Sequence, residues 1–260
     1  MVSICAVLKL KGSILPILLI SPACFSPHYS IEYRTHFTKF HAYHVGNIGA
    51  TEQLILVELG HLYAYFSANG NDVVNDPFNI LGYQVTIGQI IIWGATISGI
   101  HYNLHNILKG LAGAKDKSYA LACLIPYVQF LLMLWVSSYS QFFEGYAAYF
   151  LVTVGMYLTY VTAIMNLNST ASMSFNWFYF EPFAYAAILY VDINRLLVAN
   201  QVVYLYATFL GIILIKYFAF MSNVITKLTD YLEINFLTVN GKGAKNVSNN
   251  LMGAGKKKDK

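Results

Sequence analysis

The chain has 260 residues, 57% of them hydrophobic and 11% charged, with a formal net charge of +4 and a mean hydropathy of +0.52. Soluble domains carry about 25% charged residues, so a single water-soluble core is excluded and a polytopic helical membrane protein is expected. The basic residues cluster at the ends of apolar runs, as topology determinants do, which argues against a nucleic-acid surface.

The elements follow in chain order. Residues 1–26 combine Lys9 and Lys11 with the apolar run GSILPILLISPACFS. This resembles a signal peptide, but the run is read here as a short membrane segment that is retained and broken by Pro16 and Pro22. Residues 27–50 are polar and carry His28, His36, His41, His44, Arg34 and Lys39; they read as an interfacial loop. Six full membrane helices are placed at about 51–68, 84–108, 119–137, 142–165, 176–193 and 201–222. The stretch 84–108 holds no charged residue and leads into a basic loop bearing Lys109, Lys115 and Lys117. The fold class is therefore all-α, with a transmembrane bundle over 51–222 and a polar basic tail over 223–260.

Loop charge sets the topology. One side takes 27–50, 109–118, 166–175 and the tail, with most of the Lys and Arg; the other takes 69–83, 138–141 and 194–200. The charge-rich side faces the cytosol or matrix. The tail from Val239 is dominated by Gly, Asn, Ser and Lys. It has no apolar face of its own, so order there calls for partner chains.

Polar groups inside lipid need partners. Glu58 and His61 lie three apart on one helix face, with Glu52 a turn and a half earlier, and His101 and His105 are spaced i,i+4. The histidine pair has the spacing of metal or haem ligands, yet no second pair joins it. All four are read as intramembrane polar contacts, and no metal or cofactor is expected. A channel or transporter reading would need a continuous polar path through Glu58, His61 and His101. Asp192 and Arg195 read as an interfacial ion pair, Lys216 snorkels, and Gly88, Gly94 and Gly99 mark close helix packing. Cys5, Cys24 and Cys123 form no pair and read as small apolar residues.

The series HYSIEYRTHF, GATEQLILVELGHLYAYF and GATISGIHYNLHNILKGL, with the closing helices that begin at Ile164-Met165, resembles the C-terminal part of eukaryotic choline/ethanolamine phosphotransferases. The likeness covers roughly residues 25–238 and lies mostly in apolar segments. The resemblance implies a member of the CDP-alcohol phosphotransferase superfamily, whose chemistry rests on a motif of the form D-G-x2-A-R-x8-G-x3-D-x3-D that holds divalent metal against a diphosphate. That motif is missing. Asp72 and Asp76 make a D-x3-D, but no D-G-x2-A-R precedes them, and arginine occurs only at 34 and 195.

The expectation is a catalytically inactive, structural subunit of a large membrane complex built on that scaffold. Its partners would be other subunits and phospholipids, cardiolipin among them, with no nucleic acid. Arg34, Lys109, Lys115 and Lys117 would meet an anionic head group. The mitochondrial inner membrane is favoured, in a respiratory or ATP synthase assembly, partly because the Tyr-, Asn-, Ile- and Lys-rich composition suggests an AT-rich genome. The alternative is a component of an aminoalcohol phosphotransferase of the endoplasmic reticulum, with another chain supplying the metal site.

Overall fold

The computed structural model describes residues 14–40, 76–80 and 82–232. The segment expected at 51–68, with Glu52, Glu58 and His61, lies outside them, as do His41, His44, Asp72 and the tail beyond Leu232. The described chain is predominantly helical. It falls into two units, residues 1–210 and 211–260.

The first unit opens on α1, Ile14–Thr38. The sequence reading breaks the chain at Pro22 and starts a loop at 27. The helix instead continues through Pro22 and Pro27 and takes in most of that loop. A proline costs a helix one backbone hydrogen bond and a local clash, and neighbouring helices can compensate. Here α1 lies against α2 along much of its length and also against α4 and α5.

A small antiparallel pair follows, β1 (Phe78–Ile80) with β2 (Tyr83–Val85), Asn79 opposite Gln84. Gly82 in the turn has φ +89°, a conformation that favours glycine. Helix α2, Ile87–Gly113, starts on a capping box: the Thr86 hydroxyl accepts from Gln89 N–H and the Gln89 side chain accepts from Thr86 N–H. It ends five residues later than expected, so Lys109 belongs to the helix. Asp116 caps α3 (Lys117–Ala122), and a break at Cys123–Leu124, followed by Pro126, starts α4 (Ile125–Ser137). Helix α5, Phe143–Thr170, is kinked at Tyr146 (φ −128°, ψ 26°). Then come α6, Glu181–Ile193, and α7, Ala199–Leu232. The second unit begins at Gly211, within α7, and the helix runs ten residues past the expected end at 222.

Three helical stretches among the described residues are long and apolar enough to cross a membrane: Lys117–Ser137, Gly145–Thr170 and Ala199–Asp230. Helix α2 is long enough at 27 residues but is not among them, because its Gln, Thr, Ser, His and Asn residues dilute its apolar character. Helix α6 has only 13 residues, about 20 Å, too short to cross.

The placement of α6 explains its length. Beyond Thr170 the chain leaves the helix, and Phe175 meets the ring of Tyr119, whose hydroxyl accepts from Phe175 N–H at 2.5 Å and reaches Phe175 O at 3.1 Å. Four residues on, the Tyr179 ring packs on Tyr157 and Tyr160 of α5, both at 6.4 Å. These lie ten to thirteen residues before the end of α5, about 15–20 Å back along its axis. The connection thus descends beside α5, and α6 starts part-way down the span. The sequence reading began this helix at 176. Non-helical backbone carries 176–179 to the start point at Phe180, which already has αR geometry, with Phe175 and Tyr179 buried and Trp177, Phe178 and Phe180 exposed.

Candidate functional site

The first polar centre is the seam between α1 and α2. The chains approach closely at glycines. A Cβ on Gly110 would sit 2.6 Å from the Tyr33 ring and 3.3 Å from Arg34 Cα, and one on Gly113 would sit 2.6 Å from Thr38 Cγ2. Gly94, expected as a packing glycine, faces open space. Along the seam Ser30 donates to Asn103 Oδ1 at 2.8 Å, Asn106 Nδ2 donates to Ser30 at 3.4 Å, and Arg34 Nη1 donates to Asn106 Oδ1 at 3.3 Å. Asn103, Asn106 and Ser30 are all buried.

These asparagines are what the sequence reading missed. It chose His101 and His105, which the structure sets on the exposed face of α2. The physical reason is geometric. An i,i+4 pair shares a face, but the face that meets α1 is the one carrying Gly99, Asn103, Asn106 and Gly110. Compact amides and glycines permit the close approach that imidazoles would block.

The cations predicted to meet a head group collect at one end of this seam. Arg34 is half-buried. Its guanidinium carbon lies 5.1 Å from the centre of the Phe40 ring, and among the described residues its Nε has no hydrogen-bond partner. Lys109, Lys115 and Lys117 are exposed. Lys117 donates to the Leu111 carbonyl and, at 3.0 Å, to the Ala112 carbonyl, so it caps the end of α2. Lys39, at φ +56°, likewise donates to Ser169 O at 3.2 Å near the end of α5. These bonds, with the Tyr119–Phe175 pair, bring residues 39, 117–119 and 169–175 to one end of the bundle, as loop charge predicts. His36 is buried there among Phe37, Tyr119 and Phe175, its Nδ1 unpartnered. Burial, followed by the charge of Lys39, lowers its pKa below the ordinary 6.5.

A second polar line follows the descending connection. Tyr157 donates to Gln129 Oε1 at 2.9 Å. Glu181, buried in the first turn of α6, lies within electrostatic reach of Tyr179. Among the described residues the Tyr179 hydroxyl has no hydrogen-bond partner. At the far end of α6, Asp192 is 1% exposed. Its carboxylate accepts from Ser140 at 2.5 Å, Tyr206 at 2.8 Å and Gln141 Nε2 at 3.0 Å. The expected ion pair with Arg195 is replaced by this cage. Arg195, at φ +52°, gives only its backbone N–H to the Asp192 carbonyl, and its side chain is exposed. Asp192 thereby ties the α4–α5 turn, α6 and the start of α7 together.

Among the described residues no three His, Cys, Asp or Glu side chains gather in a metal-ligand cluster. Asp76 is exposed. The arrangement offers buried hydrogen-bond acceptors, two helix ends capped by lysine and one arginine with donors to spare. No protein-family model, curated protein or solved structure matches the chain.

Proposed function

We propose that the chain is a structural, catalytically inactive subunit of a larger membrane assembly, packing on neighbouring subunits and holding phospholipid. Our favoured setting is a respiratory-chain or ATP synthase complex of the mitochondrial inner membrane, on a scaffold derived from a CDP-alcohol phosphotransferase, with about six full transmembrane helices plus one short or broken N-terminal segment.

The observation that supports a membrane role best is the inversion of α2. Its inner face carries Thr96, Asn103 and Asn106, each no more than 5% exposed, whereas Ile97, Ile100, Leu104 and Leu108 on the outside are 53–64% exposed. In water that helix would turn over, since apolar area costs about 25 cal/mol per Å² to expose. In lipid these four aliphatic side chains cost nothing, with His101 and His105 the polar members of the same outer face, and the interhelical hydrogen bonds of Asn103 and Asn106 hold the inner one. The span in α7 is only 22% buried, which leaves a broad apolar face for lipid or neighbours. The anionic head group is assigned to Arg34 with Lys109, Lys115 and Lys117 at the seam's end, a phosphodiester, that of cardiolipin included, accepting from the unspent donors of Arg34.

Native gel electrophoresis of membranes solubilised in mild detergent tests the assembly. The chain is expected to migrate far above its 29.1 kDa with other subunits; migration as a lone monomer refutes the reading. Replacing Arg34, Lys109 and Lys115 by Gln should lower anionic lipid carried through purification, and unchanged occupancy removes the head-group assignment. Phosphotransferase activity of the purified chain with Mg²⁺, diacylglycerol and a CDP-alcohol would overturn the inactive assignment.

A further inference from the structure

Helix α6 and helix α4 leave an elongated space between them. It measures about 180 Å³ and runs from Gln129 and Pro182 at one end to Val136 and Leu189 at the other. The ends lie seven residue steps apart on each helix, about 10 Å. Met133 and Leu189 are buried at its floor, while Leu132 and Phe183, 49% and 52% exposed, stand at its mouth. Ala186 lines it with a single methyl group and so leaves it open.

The lining is hydrocarbon and its two polar members are engaged. Gln129 Oε1 accepts from Tyr157, and the Tyr185 hydroxyl pairs with Ser137 at 2.6 Å. An apolar cavity of about 150 Å³ stays dry and takes up small hydrocarbons, so water is a poor occupant here. Helix α4 belongs to the stretch Lys117–Ser137, apolar enough to cross a membrane, which puts the mouth at the level of lipid tails. We infer that the cleft takes one acyl chain of a membrane lipid, recognised by shape and hydrocarbon contact alone. This rests on the membrane reading above and concerns a place remote in sequence from the basic seam.

The test uses the full chain reconstituted into phosphatidylcholine nanodiscs containing a phospholipid with a diazirine midway along one acyl chain. After photolysis, adducts are mapped by mass spectrometry. They should concentrate on Leu132, Met133 and Ala186 over the exposed Ile97, Ile100 and Leu104 of α2. Ala186→Phe, which fills the cleft, should cut the cleft adducts about tenfold and leave those on α2 unchanged; Ala186→Leu replaces it if the Phe variant does not elute as a folded species. Equal labelling of cleft and α2 face, or cleft labelling indifferent to the filling variant, overturns the inference while the membrane reading stands. Release of the chain from native membranes by alkaline carbonate overturns both.

Discussion

The α1–α2 seam and the α4–α6 cleft are opposite solutions to helix packing. At the seam, glycines let the backbones close up, and Ser30, Asn103, Asn106 and Arg34 bond across the gap. At the cleft, Leu132, Met133, Val136 and Phe183 face a small Ala186 across open space. The difference teaches where adhesion comes from in an apolar solvent. Bulky aliphatic side chains gain little by leaving lipid for one another, whereas close contact and buried hydrogen bonds do hold helices together.

The seam should break most easily at its glycine. Gly110→Leu drives side-chain atoms into the Tyr33 ring, which cannot swing away because its hydroxyl donates to Ala120 O at 3.0 Å. A loss of about 3 kcal/mol is expected, read as a lower unfolding midpoint in detergent titration. A loss below that of Gly94→Leu, where nothing lies near, would refute the seam. Next comes the clamp that fixes one end of α6. Asp192→Leu strands three donors, from Ser140, Gln141 and Tyr206, at about 2–3 kcal/mol. Arg195→Leu should cost almost nothing, and the reverse order would restore the ion pair.

Smaller effects sharpen the contrast. Asn106→Leu removes seam bonds to Ser30 and Arg34 and should cost about 1 kcal/mol, whereas His101→Leu and His105→Leu on the outer face should be neutral or stabilising in lipid. His36 adds a pH dependence. Its folded pKa lies below the unfolded 6.5, so the folded state binds the proton less well. The stability it contributes is complete above 6.5 and is lost as pH falls through the lower folded value. The unfolding midpoint should drop between about pH 7.5 and pH 5 by more in the parent chain than in His36→Phe; equal drops would assign the effect elsewhere. The smallest change is Ala186→Phe, which should leave the midpoint within about 0.5 kcal/mol of the parent.

Much of the scaffold was legible in sequence. Long apolar runs located α2, α5 and α6 to within several residues and the start of α7, because period and length are local properties; α7 runs on past its expected end, and the run at 119–137 is split into α3 and α4. The grouping of loops by charge matched the ends joined by Lys39–Ser169 and Ser140–Asp192. What misled were local rules with tertiary exceptions. Pro22 and Pro27 sit in a helix that other helices flank, and 176–179 is apolar enough for a helix yet lies outside one, beside α5. Among the residues singled out in the sequence, Arg34 lies in the seam, bonded to Asn106. Asn103 and Asn106 are not legible in sequence because an amide in an apolar run carries no sign of which way it faces.

By itself the sequence determined the helical class, three of the apolar stretches able to span a membrane and the end of the bundle where lysine collects. All follow from side-chain transfer energies summed over a window, which need no knowledge of neighbours. Only the tertiary structure decided that α2 turns Thr96, Asn103 and Asn106 inward and Ile97, Ile100, Leu104 and Leu108 outward, that α6 begins part-way down the bundle, and that Asp192 is caged by hydroxyl and amide donors. Each depends on which face meets which helix. That is settled by close approach at a few glycines and by pairing buried polar atoms, interactions between residues distant in the chain that no window of sequence contains.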